Sequence, residues 1–313
     1  MYIGIDIGGT KCAVVYGDEN GRIISKERFD TTNVKDTLEN IFSSVAKLGI
    51  AKAIGISCGG PLDSGRGVIL SPPNLPGWDE IYIVNMIEEK FGIPCAIEND
   101  ANACALAEYN FGAGKGCRNM VFFTFGTGLG AGLILDGKLY RGTNGMAGEA
   151  GHIRLSDFGP VGYGKAGSFE GFCSGNGIAQ IGMTKAREIL QQGKETAFCK
   201  SFEELNQITA KKIADCAKEG DELSKEIYRI CGRKMGLGLS IIADILNPER
   251  IVLGSIYPRC KDLLEDSIYE VMKEETLSYS FEVCKVVPAK LGEEIGDYAA
   301  LAVAANLAKE KNL

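Results

Sequence analysis

The run YIGIDI (2–7), GGT (8–10), KCAVVYG (11–17), DENG (18–21) and RIISKERF (22–29) decides the fold. It reads as strand, glycine turn, strand, polar turn, strand, with Asn20-Gly21 a strong hairpin signal. The same grammar returns at 119–141 as NMVFFTF, GTG, LGAGLIL, an Asp136-Gly137 turn and KLYR. Two such units predict a duplicated fold, the alternative being two unrelated hairpins that happen to look alike. Working outward, AKAIGIS (51–57) and PCAIEN (94–99) are apolar runs of strand length, separated by helix-like stretches at 34–48 and 81–91. Alternating strand and helix implies an α/β sandwich.

The second half is richer in helix. Helical spacing runs over 176–192, 202–218 and 221–246, the last ending before Asn247-Pro248, where proline disfavours helix in its predecessor. RIVLGS (250–255) reads as a buried strand, and an Ala/Leu helix over 296–310 suits packing onto a sheet. A chain of 313 residues has room for two cores. The expected division is an N-terminal α/β domain of residues 1–112 completed by the C-terminal helix 297–313, and a larger C-terminal α/β domain of residues 113–296. The Gly-rich run FGAGKG (111–116) is the expected hinge beside an interdomain cleft.

Composition narrows the function classes. Hydrophobic residues at 45% and charged residues at 24% have the balance of a soluble globular protein. A net charge of -7 leaves no broad basic surface for a phosphate backbone, so nucleic acid is not an expected partner. Eleven cysteines, an odd number with no C-x-x-C pair, read as reduced and mostly buried thiols. The first strand follows Met1 directly, with no signal-peptide pattern, and no run approaches a membrane-spanning length. A cytoplasmic location without membrane contact is the expectation.

Four stretches carry the candidate chemistry. Asp6-Ile-Gly-Gly-Thr-Lys11 puts a carboxylate at a strand end and then a turn whose Gly9, Thr10 and Lys11 can approach phosphate oxygens, unless it is a plain β-turn. Asp6 is also the candidate for Mg²⁺, through water. Phe125–Gly132 supplies a second glycine turn through Gly126, Thr127 and Gly128. It formally fits a dinucleotide fingerprint but lies between strands, where that motif must open a helix. The run 112–116 lacks the first glycine and the hydroxyl residue of a P-loop. In Glu98-Asn99-Asp100-Ala-Asn102, an apolar strand hands over to an alanine-rich helix, and Asp100 reads as the helix cap and, compatibly with that, as a base at the strand's carboxyl end. Gly148-Glu149-Ala-Gly-His152 holds the chain's one histidine, which is either structural or paired with Glu149 for hydroxyl recognition. No second histidine or cysteine pair completes a zinc set.

Taken in order, DIGGTK (6–11), ISCGGP (56–61), SPPNLPGW (71–78), ENDANACALAE (98–108), FGTGLGAG (125–132), GEAGH (148–152) and IVLG (251–254) resemble the ROK family of sugar kinases and sugar-responsive repressors, over nearly the whole chain. The resemblance implies an actin-like ATPase (ribonuclease H-like) duplicated fold and an ATP- and Mg²⁺-dependent transfer of phosphate to a hexose, glucose foremost. It implies Asp100 as the base, Gly60, Asn74 and Asn99 around the same sugar, and Glu149, His152 and Glu170 at the sugar's other end. It further implies Thr10, Lys11 and Thr127 at the phosphates, Gly254 by the adenosine, and a homodimer. Members acting on N-acetylmannosamine, N-acetylglucosamine, fructose or allose share most of these residues, and a non-catalytic regulator is the alternative of another class. Repressors of the family carry an added N-terminal helix-turn-helix, which is not expected ahead of Tyr2.

Two departures stand out. Many members follow the histidine with a zinc-binding C-x-C-G-x-x-G-C-x-E motif, whose cysteines align here with Val161, Tyr163 and Ser168. No structural zinc is expected, and packing of Tyr163 and Phe169 is expected to hold that loop instead. The second is Ser255, where the family often has a further glycine after Gly254.

Overall fold

Three strands open the chain, β1 (Tyr2–Ile7), β2 (Lys11–Gly17) and β3 (Ile23–Asp30), in a computed structural model that describes residues 1–313. They are followed by α1 (Val34–Ala46), β4 (Ile54–Cys58), α2 (Ile83–Phe91), β5 (Cys95–Asn99) and α3 (Asp100–Phe111). The sheet order is β3-β2-β1-β4-β5, antiparallel across the first three strands and parallel from β1 through β4 to β5. Alternation along β1 sends Ile3, Ile5 and Ile7 into one core with Ile54, Ile56, Leu38, Ile41 and Trp78. Tyr2 belongs to a second core on the other face, built with Leu301, Ala304 and Leu307 of the last helix. A strand covered on both faces reads as an unbroken apolar run, which is why YIGIDI tolerates only one charge.

The second sheet repeats that order. It comprises β6 (Met120–Phe123), β7 (Ala131–Leu135), β8 (Lys138–Leu139), β9 (Arg250–Leu253) and β10 (Lys285–Pro288), arranged β8-β7-β6-β9-β10. Strands β7 and β8 are antiparallel and β9 and β10 parallel, the same change of direction as in the first sheet. The Asp136-Gly137 turn has φ of 52° and 75°, the pair of positive angles a two-residue hairpin needs. The repeated grammar of the sequence is thus a repeated topology.

The remaining helices are α4 (Phe169–Phe172), α5 (Gly175–Leu190), α6 (Ala210–Lys218), α7 (Glu222–Leu246), α8 (Ile256–Glu275), α9 (Ser278–Val283) and α10 (Ile295–Glu310). The chain falls into two compact units. One is Met1–Phe122, Gly132–Ala147 and Lys290–Leu313, and the other is Phe123–Ala131 and Gly148–Ala289.

The helix expected over 202–218 is two pieces. Phe202–Gln207 is a 3₁₀ turn, and Thr209 takes an extended conformation and caps α6 through Lys212 N. A threonine that can bond the backbone two or three residues on favours a fresh start over helix continuation. Helices α8 and α9 and strand β10 were outside the sequence reading. The buried set Tyr257, Cys260, Leu264, Ile268 and Met272 repeats every three or four residues, so α8 had a legible signal. All eleven cysteines are free and nine are buried, in line with the reading of mostly buried thiols. No helix is long and apolar enough to cross a membrane.

Candidate functional site

In the first unit the site is assembled by strand register. Asp6 pairs with Ser57, which pairs with Glu98, and one step on Ile7, Cys58 and Asn99 are level. The three parallel strands therefore end together, and the residues just beyond them meet in the crevice where α/β sheets take ligands. A cavity of about 240 Å³ is lined there by Asp6, Gly8, Gly9, Ser57, Gly59, Gly60, Pro72, Asn74, Leu75 and Asp100, among others. Four residues named from sequence, Asp6, Gly9, Gly60 and Asn74, thus join Asp100 in one recess. Thr10 and Lys11 stand exposed just past Gly9, where β2 begins.

Each functional group is placed by ordinary backbone chemistry. Gly9 lies so close to the Asn74 loop that a Cβ would come 2.5 Å from Asn74 O. Leu75 N donates to Pro72 O at 2.9 Å, and Trp78, fully buried, anchors the loop's far end. Asp100 is not the helix cap. Asn99 has the extended backbone of a cap, and its Oδ1 accepts from Asn102 N at 2.8 Å, so Asp100 is the first helical residue. Two consecutive cap-type residues compete for one position, and the one at the strand's end takes it. The Oδ1 of Asn99 is then committed to the backbone, and Asn99 is not among the residues lining the recess.

The carboxylates of this recess are electrostatically loaded. Asp6 is pushed up to about 6, first by burial and then by the negative charges of Asp297 and Asp100. Asp100 is open to solvent at the recess, yet crowding by protein atoms raises it too, against the pull of the Ala101 N–H that bonds its Oδ1 at 2.9 Å. Behind them, buried Glu98 pairs with Arg141 and accepts from Asn102 Nδ2 at 3.2 Å. Burial still holds Glu98 above its ordinary value.

The second unit carries the other candidates. Its glycine turn is closed by Thr124 N to Gly130 O and Gly130 N to Thr124 Oγ1, both 2.9 Å, and by Gly126 N to Gly128 O at 3.0 Å. Thr127 is exposed at the tip. Glu149 and His152 open and close a 3₁₀ turn, both exposed, while Glu170 in α4 accepts from Leu129 N at 3.0 Å. Gly254 is buried and bonds Phe123 O at 2.9 Å. Ser255 has φ 49° and ψ -92°, a conformation that glycine adopts more cheaply, which gives the family's usual glycine there a physical reason.

The loop beyond His152 is held partly as expected. Phe169 is fully buried, with its ring 5.8 Å from Phe123, whereas Tyr163 is 90% exposed at the tip of a hairpin, Val161–Gly162 with Lys165–Ala166, and packs only edge-on against His152, with ring centroids 6.4 Å apart. Tyr163 at φ 44° and Gly164 at φ 73° form the two-residue turn, and a turn tip points to water. Hydrogen bonds do the rest of the holding. Gln180 grips Val161 through N at 2.8 Å and O at 2.9 Å, Lys165 Nζ donates to His152 O at 2.7 Å, and Gly167 N donates to Pro160 O at 2.9 Å.

Residues that the sequence reading missed are Ser57, Pro72 and Leu75 in the recess, and Asp297, which pairs with Lys26 and bears on Asp6. Ser57 had a signal, since it is next to last in the strand between those of Asp6 and Glu98. Asp297 had none, because 291 residues separate it from Asp6 and only the return of α10 beside β1 brings them together.

A sequence model described as the ROK family matches residues 2–311. A glucokinase of Streptomyces coelicolor is 33% identical over 316 aligned residues, covering 99% of this chain and 98% of that protein. A xylose repressor of Caldicellulosiruptor bescii is 29% identical, covering 92% of this chain and 74% of the repressor. Among solved structures, a ROK family glucokinase from Streptomyces griseus in complex with glucose and AMPPNP superimposes with a TM-score of 0.73 at 31% identity, over 97% of this chain and 98% of that one. The duplicated sheets are those of the actin-like ATPase fold. The chain belongs to the ROK family.

Proposed function

We propose that the protein is an ATP-dependent hexose kinase, with glucose as acceptor and glucose 6-phosphate as product. The observation that carries this is Asp100, a solvent-reachable carboxylate with a raised pKa, sharing a small polar recess with Asn74 and the first glycine turn. A hydroxyl is a poor nucleophile until its proton has somewhere to go. Asp100 takes that proton as the sugar oxygen forms its bond to the γ-phosphorus, and the bond from phosphorus to the β,γ-bridging oxygen breaks, leaving ADP. Asn74 orients the sugar near the base, the Nδ2 of Asn99 is the group it has left to donate to a neighbouring hydroxyl, and Glu149, His152 and Glu170 supply the donors and acceptors that further hydroxyls require. Gly9, Thr10, Lys11, Gly126, Thr127 and Gly128 hold the phosphates, and Gly254 lies by the adenosine.

Asp6 fits Mg²⁺. It is a hard oxygen donor whose charge is crowded by Asp100 and Asp297, a crowding that a cation relieves. Mg²⁺ commonly takes one or two protein carboxylates and completes its shell with phosphate and water, and when bound it neutralises charge on the transferring phosphoryl group. The similarity to a glucokinase over nearly the full length supports glucose over N-acetylmannosamine, N-acetylglucosamine, fructose or allose. A cytoplasmic homodimer completes the proposal.

The test is ADP release from Mg-ATP across a hexose panel. Turnover with glucose is the expected outcome, and no release above background with any hexose would sink the kinase reading. The likeness to a xylose repressor favours one other reading, a sugar-responsive regulator. That reading predicts sugar binding by calorimetry with no ADP formed.

A further inference from the structure

We infer that Glu170 couples the sugar to the nucleotide, with one carboxylate oxygen held by the second glycine turn and the other left for a sugar hydroxyl. This deepens the kinase reading and rests on it. Oε2 of Glu170 accepts from Leu129 N at 3.0 Å, one residue past Gly128 in the turn proposed for phosphate. Oε1 accepts no hydrogen bond within the chain. The approach depends on a missing side chain, since a Cβ on Gly128 would stand 2.8 Å from Oε2. The turn bearing Glu149 and His152 closes on the same spot, with Gly151 so near that its Cβ would come 2.2 Å from Leu129 O.

The carboxylate is well anchored. Ser168 caps its helix through Gly171 N at 3.0 Å, and the neighbouring Phe169 is fully buried. A planar group fixed at its base and bonded at one oxygen presents the other in a set direction. A sugar hydroxyl donating to Oε1 therefore restrains the plane, and through Oε2 restrains Leu129 N–H and the turn. Part of the ordering cost of the turn is then met before nucleotide arrives, and by linkage the nucleotide raises sugar affinity by the same factor.

Substitutions separate this from plain structural support. In Glu170→Gln the amide oxygen still accepts from Leu129 N while the NH₂ replaces the acceptor facing the sugar. Glu170→Ala removes both links. The measurement is the dissociation constant of AMPPNP with Mg²⁺, by calorimetry, without glucose and with saturating glucose. For the unaltered protein, glucose is expected to tighten AMPPNP by about fivefold or more. E170Q is expected to need more glucose for saturation yet keep that factor. E170A is expected to lose it to within about twofold, whatever its AMPPNP constant without glucose becomes. An undiminished factor in E170A would overturn the inference. If E170A does not fold, loss of the factor in a glucose-saturated E170Q overturns it instead. Unaltered protein that binds both ligands with no tightening defeats the coupling alone, whereas binding of AMPPNP but of no hexose defeats the kinase reading and the coupling with it.

Discussion

The two glycine turns descend from one grammar and are backed by different materials. At the first, Gly9 faces the backbone oxygen of Asn74, with 2.5 Å to a Cβ placed there. At the second, Gly128 faces the end of the Glu170 side chain, at 2.8 Å. In both, a glycine lets a residue proposed to contact the sugar lean on a turn proposed to hold phosphate. Backbone cannot move aside cheaply, whereas the end of a held side chain yields at the loss of one hydrogen bond, so the first turn is the more rigid and the second the more adjustable. The first also stands beside three carboxylates, Asp6, Asp100 and Asp297, whereas the titratable group bonded at the second is Glu170.

The largest expected effect removes the base beside the rigid turn. Asp100→Asn should lower kcat by about 10³-fold while glucose affinity holds within a few-fold, because a base acts in the transition state. Steady-state kinetics paired with glucose calorimetry reads both numbers, and near-normal turnover would refute the role given to Asp100.

Next comes the contrast between the turns. Gly9→Ala should cost about 10²-fold in kcat/KM, since a displacement near 1 Å at a positioning element has that scale. Gly128→Ala should cost less than about tenfold, as its obstacle is a flexible side-chain end. Equal losses would erase the distinction between a rigid and an adjustable turn.

Acidity gives a smaller signature at the first turn. Asp6 rises from 3.8 to about 6 on folding, so the native state holds this proton more tightly than the unfolded chain does. Its contribution to stability is complete below pH 4 and lost as pH climbs through about 6. Urea unfolding of metal-free protein at several pH values should show that decline, and Asp6→Asn should flatten it. A slope unchanged in Asp6→Asn would place the proton elsewhere. Raised Asp100 likewise moves the acidic limb of kcat/KM above the ordinary carboxylate range, with activity growing as pH increases.

The smallest expected effect lies beside the second turn. Ser255 Oγ would be 3.3 Å from a Cβ on Gly126, and its φ of 49° suits glycine. Ser255→Gly should stabilise the protein by about 1 kcal/mol through relieved backbone strain. Thermal melting reads this, and a lower Tm would mean that the Arg259 hydrogen bond to Ser255 Oγ at 3.1 Å outweighs the strain.

Much of the molecule was legible before any coordinates. Strands buried on both faces announce themselves as apolar runs, and glycine turns between them mark where a ligand can approach backbone, so 2–17 and 119–141 revealed both sheets and both turns. The Asp100 region was legible as a strand-to-helix junction but ambiguous in detail. Asn99 and Asp100 are both good caps, and which of them caps depends on where the strand stops pairing. The loop without the family's cysteines was legible as a departure, and the packing of Phe169 as part of what holds it, whereas the grip of Gln180 was not. Gln180 meets Val161 from a helix 19 residues away, and no local rule announces that pairing.

The sequence by itself determined the secondary structure of the sheets apart from the edge strand β10, the duplication, the family and the residues that end up at strand ends, because those follow from periodicity and turn chemistry acting over a few residues. Tertiary structure alone decided which charges face each other and which glycines are contacts. Asp6 meets Asp297 because α10 returns to β1, and Glu170 meets Leu129 because a glycine leaves room for it. Such contacts are set by packing across long sequence separations, where burial and electrostatic repulsion act through space.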